Sequence, residues 1–230
     1  MQGILLVNKP IGWTSFDVVA LVRKIIAIEQ KVKPAQIKVG HTGTLDPLAE
    51  GLLVLLIGKK YTRLAEKFTK LDKEYLANIK LGEVTDSGDS ETEPKFYSSY
   101  QPSKQEIEET LKKFIGQSNQ KPPIYSAIKV NGQRAYKAAR SGQKIELKPR
   151  QITIYEIKLL EYRYPVLNIK AKVSSGTYIR SLVEDIGKNL GSGGYMTGLK
   201  RTEVGEFKLS DSISADDINY QKINSNLFFV

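Results

Sequence analysis

The chain has 230 residues, 40% of them hydrophobic, which is sufficient for one large domain or two small ones with an ordinary core. The absence of cysteine and the single histidine argue against a disulfide framework, a thiolate metal site and a zinc site, and they favour a metal-free cytoplasmic protein. The net charge of +10 suggests an anionic partner, while the lack of a signal peptide pattern or of an apolar run near the ~20 residues that cross a bilayer predicts a soluble protein.

The N-terminal residues predict a strand followed by a helix. A strand-like apolar run, GILLV, lies within residues 1–8, and residues 16–28 carry apolar side chains at helical spacing. Thr14 and Asp17 stand three residues apart just before that apolar stripe, a spacing typical of a capping box. A short connection therefore separates a strand from an amphipathic helix.

Residues 40–53 (GHTGTLDPLAEGLL) are the most distinctive stretch of the chain and include its only histidine, His41. Glycines allow tight turns here, and Pro47 restricts both its own φ angle and the backbone of Asp46. The apolar run at residues 52–57 predicts a buried strand that would anchor one end of this loop. From these residues alone, an ordinary turn and a catalytic loop both remain open.

The next segments predict a short basic helix at residues 59–67 and a half-buried strand at residues 73–81. Tyr75 lies on the apolar face of that strand, where a core aromatic residue is the simplest interpretation. Residues 83–93 contain five acidic residues and no basic one, which predicts a solvated surface loop. Their spacing does not match an EF-hand, so we do not expect a metal site there.

A basic segment extends from residue 121 to residue 172 and follows a predicted helix at residues 103–114, which has a second capping box formed by Ser103 and Glu106. The segment holds twelve Lys and Arg residues against three acidic residues, and five tyrosines lie among them. This mixture is typical of surfaces that follow phosphates and stack on bases, although a merely solvated basic face is the alternative. We predict nucleic-acid binding and favour RNA over duplex DNA, because no helix-turn-helix or finger pattern is present.

Within and after this segment, the pattern predicts a turn at Asn131 and Gly132, a short helix at residues 133–142 and an antiparallel pair of strands at residues 150–164 and 166–173. A clear amphipathic helix follows at residues 177–190. Arg180 lies in its first turn, where a cation opposes the helix dipole. A carboxylate partner such as Asp46 would compensate, and a simply exposed arginine is the alternative.

The Gly-rich residues 191–198 do not fit a phosphate-binding loop, because they follow a helix and lack a Lys-Ser/Thr pair. Residues 199–209 predict a final strand that carries Lys200 and Arg201. About twenty residues remain after Ser210, too few for another domain. We therefore expect one main domain at residues 1–210 and a short C-terminal tail at residues 211–230. Pattern alone supports only a mixture of α and β elements.

Residues 40–53 closely resemble the signature of the TruB family of tRNA pseudouridine synthases, G-H-x-G-x-L-D-P-x-A-x-G-x-L, with every fixed position present. The resemblance extends in order from Gly3 to Ser210. Its further segments are LLVNKPIGWTS near the N-terminus, Lys73-Glu74-Tyr75, the P-P-x-Y-S-A-x-K motif at Pro122 to Lys129, the Y-x-x-A-R motif at Tyr136 to Arg140, and G-T-Y-I-R at Gly176 to Arg180.

The resemblance implies an isomerase that converts uridine 55 in the T loop of tRNA to pseudouridine without a cofactor or metal. It implies the pseudouridine synthase fold: an α/β (α+β) architecture with a mixed, largely antiparallel sheet flanked by helices and with a central active-site cleft. The implied partner is tRNA, bound through its T arm by a cytoplasmic monomer that does not associate with membranes.

The resemblance also implies roles for single residues. Asp46 would be the catalytic residue, attacking the ribose C1′ or assisting its deprotonation, and Arg180 would pair with it. Tyr75 would stack on the flipped uracil, which replaces the core interpretation given above. His41 would occupy the space that the extruded nucleotide vacates. The substrate pocket would be lined by Tyr178 and Leu199.

Two departures limit the resemblance. Many bacterial members carry a C-terminal PUA-like module, and we expect none in the residues after Ser210, so RNA affinity would come from the basic segment. The family's Leu-Arg-Arg is Leu199-Lys200-Arg201 here, which keeps a charge but loses one planar fork. Two alternatives remain: a tRNA-folding chaperone or RNA-binding protein that acts without catalysis, and an RNA-guided relative, which the missing module disfavours.

Overall fold

The computed structural model describes residues 1–124, 129–130, 133–134 and 147–229, and for residues 129–130 and 133–134 only the backbone is considered. Residues 125–128 of the motif at Pro122 to Lys129, the motif at Tyr136 to Arg140, the predicted turn at Asn131 and Gly132, and residues 135–142 of the predicted short helix therefore lie outside the described residues. The chain divides into two compact units, which are described separately below. Unit 1 comprises Met1–Tyr75 and Leu199–Val230, and unit 2 comprises Leu76–Gly198.

The described α-helices, in chain order, are α1 (Ser15–Glu29), α2 (Lys59–Thr62), α3 (Ala65–Thr69), α4 (Lys104–Lys112), α5 (Ile179–Asn189) and α6 (Tyr220–Ser225). The described strands are β1 (Gly3–Lys9), β2 (Val39–His41), β3 (Ala49–Ile57), β4 (Lys73–Leu81), β5 (Glu83–Val84), β6 (Lys95–Phe96), β7 (Gly116–Gln120), β8 (Lys129–Val130), β9 (Gln133–Arg134), β10 (Arg150–Arg163), β11 (Val166–Val173), β12 (Gly194–Val204), β13 (Phe207–Lys208), β14 (Ile213–Ser214) and β15 (Leu227–Phe228).

Unit 1 is built on β3, which is buried on both faces. β1 and β2 pair with β3 in antiparallel orientation, and β12 pairs with it in parallel, with Leu199 opposite Ala49. Alternate side chains enter two core clusters: Leu53 and Leu55 join the cluster that packs on α1, while Leu52 and Val54 join the opposite cluster. Burial on both sides explains why β3 appears in the sequence as an uninterrupted apolar run.

The C-terminal residues of unit 1 also pack on β1. β14 pairs with β1 in parallel and β15 pairs with it in antiparallel orientation. Ile223 of α6 is fully buried in the same core cluster as α1. The residues expected to form a short tail therefore contribute strands and core side chains to unit 1.

Unit 2 contains the antiparallel neighbours β7, β10 and β11. The pair β10 and β11 confirms the two strands predicted at residues 150–164 and 166–173. α5 confirms the predicted amphipathic helix, since Leu182, Val183 and Ile186 are buried. The largely antiparallel mixed sheet with flanking helices confirms the predicted fold class.

Four local predictions were wrong in detail. The basic helix at residues 59–67 is two short helices, α2 and α3, and the turn between them lets Tyr61 and Phe68 enter one core cluster. Gln133 and Arg134 form strand β9, paired with β8, and do not begin a helix. The helix predicted at residues 103–114, with Gly116 as the residue that terminates it, spans Lys104–Lys112, and Gly116 instead begins β7 with φ +112°.

The fourth concerns the final strand, which begins at Gly194 and ends at Val204, where a turn through Gly205 leads to β13. At this earlier start, the backbone of the strand packs closely against α5. A Cβ atom at Gly187 of α5 would lie 2.5 Å from the backbone of Gly193 and Gly194, so only glycine permits this approach. The Gly-rich tract is thus a packing feature.

Candidate active site

Asp46 lies half-buried in a loop whose backbone is held on both sides. The Ser15 hydroxyl accepts a hydrogen bond from the Leu45 N–H at 2.8 Å and lies 3.1 Å from the Leu45 carbonyl oxygen, to which it can donate. The Gly12 N–H donates to the Pro47 carbonyl at 2.8 Å, and the Ala49 N–H donates to the Asp46 carbonyl at 3.0 Å. These contacts fix the peptide units around Asp46, as a reactive side chain requires.

Arg201 supports the same loop from β12. Its side chain is 2% exposed, and it donates from Nε to the Leu52 carbonyl at 2.7 Å and from Nη2 to the Gly43 carbonyl at 3.1 Å. A Cβ atom at Gly51 would lie 2.4 Å from the Arg201 carbonyl oxygen, and Gly51 has φ +102°, so glycine is needed there. Arg201 therefore connects the beginning of the loop to β3.

Two buried lysines accompany Arg201 in unit 1. Lys9 donates to the carbonyls of Pro10 and Trp13 at 2.8 and 2.6 Å, and Lys73 donates to two carbonyls at 2.7 and 2.5 Å. Burial lowers the pKa of each lysine to about 8, and the Arg201 charge acts in the same direction. The Asp46 carboxylate raises the pKa of Lys9, so Lys9 and Asp46 interact electrostatically.

The other predicted site residues of unit 1 lie on strands around the loop. His41 ends β2, and burial, followed by the Arg201 charge, lowers the pKa of its imidazole, so the side chain is uncharged at neutral pH. Tyr75 on β4 is buried, as its place on the apolar face predicted. Leu199 pairs with Ala49, three residues after Asp46. The roles of these three residues toward a substrate stay predictions.

In unit 2, Arg180 is buried at the start of α5 and pairs with an unexpected carboxylate. Its Nη1 lies 3.1 Å from Asp89 Oδ2, and Asp89 is 1% exposed. The Ser87 hydroxyl donates to Asp89 Oδ1 at 2.7 Å, and the Glu91 N–H donates to the same oxygen at 3.0 Å. The exposed-arginine alternative was therefore wrong, and the acidic loop is not wholly solvated.

Tyr178 immediately precedes α5 and is half-buried. Its N–H donates to Gln120 Oε1 at 2.8 Å, and its carbonyl accepts from Gln120 Nε2 at 2.9 Å. This pair of hydrogen bonds fixes the backbone of Tyr178, two residues before Arg180. The predicted pairing of Arg180 with Asp46 and the pocket role of Tyr178 stay predictions.

Sequence reasoning did not assign Ser15, Lys9 or Asp89 to the site, and it placed Arg201 only on the predicted final strand. Lys9 carried a signal, since it lies two residues after the apolar run of β1 and precedes a proline. Asp89 carried none, because it is one of five acidic residues in a polar loop. Lys200 lies 3.5 Å from Glu50, an ion pair on the neighbouring strand. Within the described residues, no three His, Asp or Glu side chains are grouped as a metal site would require.

Comparison with known proteins identifies the family. The model of the TruB family pseudouridylate synthase (N terminal domain) matches residues 27–179, and the model of the tRNA pseudouridylate synthase B C-terminal domain matches residues 180–226. The chain belongs to the TruB family. One TruB relative, tRNA pseudouridine synthase B of Parabacteroides distasonis, is 46% identical over 217 residues, which cover 94% of this chain and 91% of the relative.

A protein of the same name from Dehalococcoides mccartyi is 45% identical, and the match covers 99% of this TruB chain and 73% of the relative. Among solved structures, the crystal structure of a Cbf5-Nop10-Gar1 complex contains a chain with a TM-score of 0.70 and 30% identity. That match covers 94% of this chain and 53% of the chain in the solved structure. This chain therefore spans about half the length of that solved chain. Among the described helices, none has the length and apolar content needed to cross a membrane.

Proposed function

We propose that the protein is a tRNA pseudouridine synthase that isomerises uridine 55 in the T loop of tRNA. The observation that carries this proposal is the Asp46 loop, in which a half-buried carboxylate is placed on a backbone held by Ser15, Gly12 and Arg201. The complete signature at residues 40–53 and the TruB family matches support the same reaction.

The reaction breaks the bond between ribose C1′ and uracil N1 and forms a bond between C1′ and C5. Asp46 either attacks C1′, forming a bond that C5 later displaces, or assists deprotonation of the ribose. The C5 proton is lost and N1 gains one, so the overall change is an isomerisation that consumes no oxidant, reductant or nucleotide. Asp46 suits either role because a carboxylate bonds reversibly to an electron-poor sugar carbon.

The remaining predicted residues act on the base and on the Asp46 carboxylate. Tyr75 stacks on the flipped uracil and assists proton transfer, while His41, as an uncharged imidazole, fills the space that the extruded nucleotide leaves. Tyr178 and Leu199 line the substrate pocket. Arg180 orients Asp46, and its buried partner Asp89 holds the guanidinium in a single position.

The chain acts in the cytoplasm as a monomer and needs no metal or cofactor. The support for these proposals is the chemistry of an isomerisation, the absence of cysteine from the sequence and the cellular location of tRNA. The net charge of +10 supports binding to the RNA backbone.

The test is pseudouridine formation on an unmodified tRNA transcript, mapped by carbodiimide modification and primer extension. The wild-type protein is compared with Asp46→Asn and with Asp216→Asn, a matched change at an exposed carboxylate of unit 1. We expect product at position 55 with the wild type and Asp216→Asn, and at least 1,000-fold less with Asp46→Asn (roughly the loss expected for a nucleophile). Tight tRNA binding by the wild-type protein without any pseudouridine at position 55 would refute the proposal.

A further inference from the structure

Two large apolar side chains beside the Asp46 loop face the solvent and contribute little to either core cluster. Ile11 and Phe16 are each 62% exposed. They are the two ends of residues 11–16, a short segment that contains part of the connection after β1 and the first two residues of α1. Nothing in the proposed reaction uses these side chains, although their chain neighbours bond to the loop that carries Asp46.

The segment runs antiparallel to the residues around Asp46. Gly12 hydrogen-bonds to Pro47, and Ser15 hydrogen-bonds to Leu45, so the two pairs bracket Asp46. Ile11 therefore lies at the Pro47 end of the loop and Phe16 at the Leu45 end. Along the chain, Asp46 therefore lies between two residues that are bonded to the immediate neighbours of Ile11 and Phe16.

Hydrogen bonds within the segment hold its backbone in place without a ligand. Lys9 holds the carbonyls of Pro10 and Trp13, and Thr14 forms a capping box with Asp17. In that box the Thr14 N–H donates to Asp17 Oδ2 at 2.8 Å, and the Asp17 N–H donates to Thr14 Oγ1 at 3.1 Å. A fixed apolar surface can contact a ligand without an additional ordering cost.

We propose that Ile11 and Phe16 form an apolar rim that contacts the unstacked bases next to the reacting uridine. This inference rests on the proposed function, because a base taken out of its stack leaves neighbouring bases with uncovered faces. Phe16 offers an aromatic face for stacking, and Ile11 offers an aliphatic contact. The buried cations Lys9 and Arg201 beneath the loop, together with the net charge of +10, favour RNA over a protein partner.

The chain offers a direct reporter of this contact. Trp13 is its only tryptophan and lies half-buried between the two rim residues. An unmodified T-arm hairpin RNA is titrated into the Asp46→Ala protein, which cannot turn it over, and Trp13 fluorescence is followed. The same titration is made with Phe16→Ala, Ile11→Ala and Phe16→Tyr added to that protein.

Ile28→Ala serves as the matched control, because Ile28 is a 67% exposed apolar residue at the far end of α1. We expect RNA binding to change the fluorescence and Phe16→Ala to weaken binding by about 5- to 150-fold, the effect of losing one stacked base. Ile11→Ala weakens binding less, while Phe16→Tyr and Ile28→Ala bind as the parent does. Thermal unfolding of each variant identifies any loss that comes from misfolding.

Two outcomes would overturn the inference: RNA affinity that is unchanged in both alanine variants, or equal weakening by Ile28→Ala. Unchanged RNA affinity would assign the rim to a protein partner instead. The binding titration does not require turnover, so its result is separable from the proposed function. If Phe16→Ala weakens RNA binding and the wild type forms no pseudouridine, the proposed function is refuted, while the proposed contact between RNA and the rim still stands.

Discussion

Replacement of Arg201 by methionine should strongly destabilise unit 1. Methionine fills much of the same space but cannot donate, so the buried carbonyl of Leu52 and the partly buried carbonyl of Gly43 lose their partner at 2.7 and 3.1 Å. An unsatisfied buried carbonyl costs about 1–3 kcal/mol, so the two together cost roughly 2–6 kcal/mol. Loss of the Arg201 charge also relieves its repulsion of Lys9, which offsets part of this cost. We expect a net loss of about 2–4 kcal/mol.

Lys200, the residue before Arg201, provides the matched control for this substitution. Lys200 is 39% exposed and forms an ion pair with Glu50 at 3.5 Å, so Lys200→Met should cost at most about 1 kcal/mol. Urea unfolding followed by circular dichroism measures the free energy of unfolding of both variants. In thermal unfolding, the melting temperature of Arg201→Met should fall by roughly 5–15 °C, given about 2–4 °C per kcal/mol for a chain of this size.

A loss below 1 kcal/mol for Arg201→Met, or equal losses for the two variants, would refute this reasoning. Either result would mean that the Leu52 and Gly43 carbonyls find other partners or water after the substitution. Arg201 would then not be required to hold the loop in place.

Three further predictions follow from the same structure. Asp89→Asn removes a buried carboxylate that pairs with Arg180, so it should cost up to about 3–5 kcal/mol in urea unfolding, while Asp86→Asn at an exposed pair in the same loop should cost under about 1 kcal/mol; similar costs for both would contradict the prediction. The pKa of Lys73 is about 8 in the folded chain and near 10.5 when unfolded, so the unfolded chain binds the proton more tightly between these values, and the free energy of unfolding should rise with pH in this window. Between pH 8 and about 9.5 this contribution should reach about 1–2 kcal/mol and be missing from Lys73→Met, so an unchanged pH profile would argue against a buried neutral lysine. Gly51→Ala forces a Cβ atom to within 2.4 Å of the Arg201 carbonyl, so it should reduce the yield of folded protein or lower the melting temperature by more than about 10 °C; a normal melting curve would show that β3 and β12 can separate there.

Helices and strands that bury a single face could be predicted from the sequence, because their apolar residues recur at a regular spacing. The pattern of residues 177–190 predicted α5, and the Thr14 and Asp17 spacing predicted the capping box that the structure contains. Short elements were less predictable. The division into α2 and α3, and the early start of β12, depend on packing against distant residues that no local period reports.

The sequence singled out Asp46 and its loop as the candidate site because the signature at residues 40–53 is local and complete. The supports of that loop come from far along the chain: Ser15 lies 30 positions from Leu45, and Arg201 lies 149 positions from Leu52. The ion pair of Arg180 with Asp89 likewise joins residues that the sequence does not relate. The sequence determined which groups can react, and the tertiary structure decided which charges are buried, because burial depends on strand register and long-range packing.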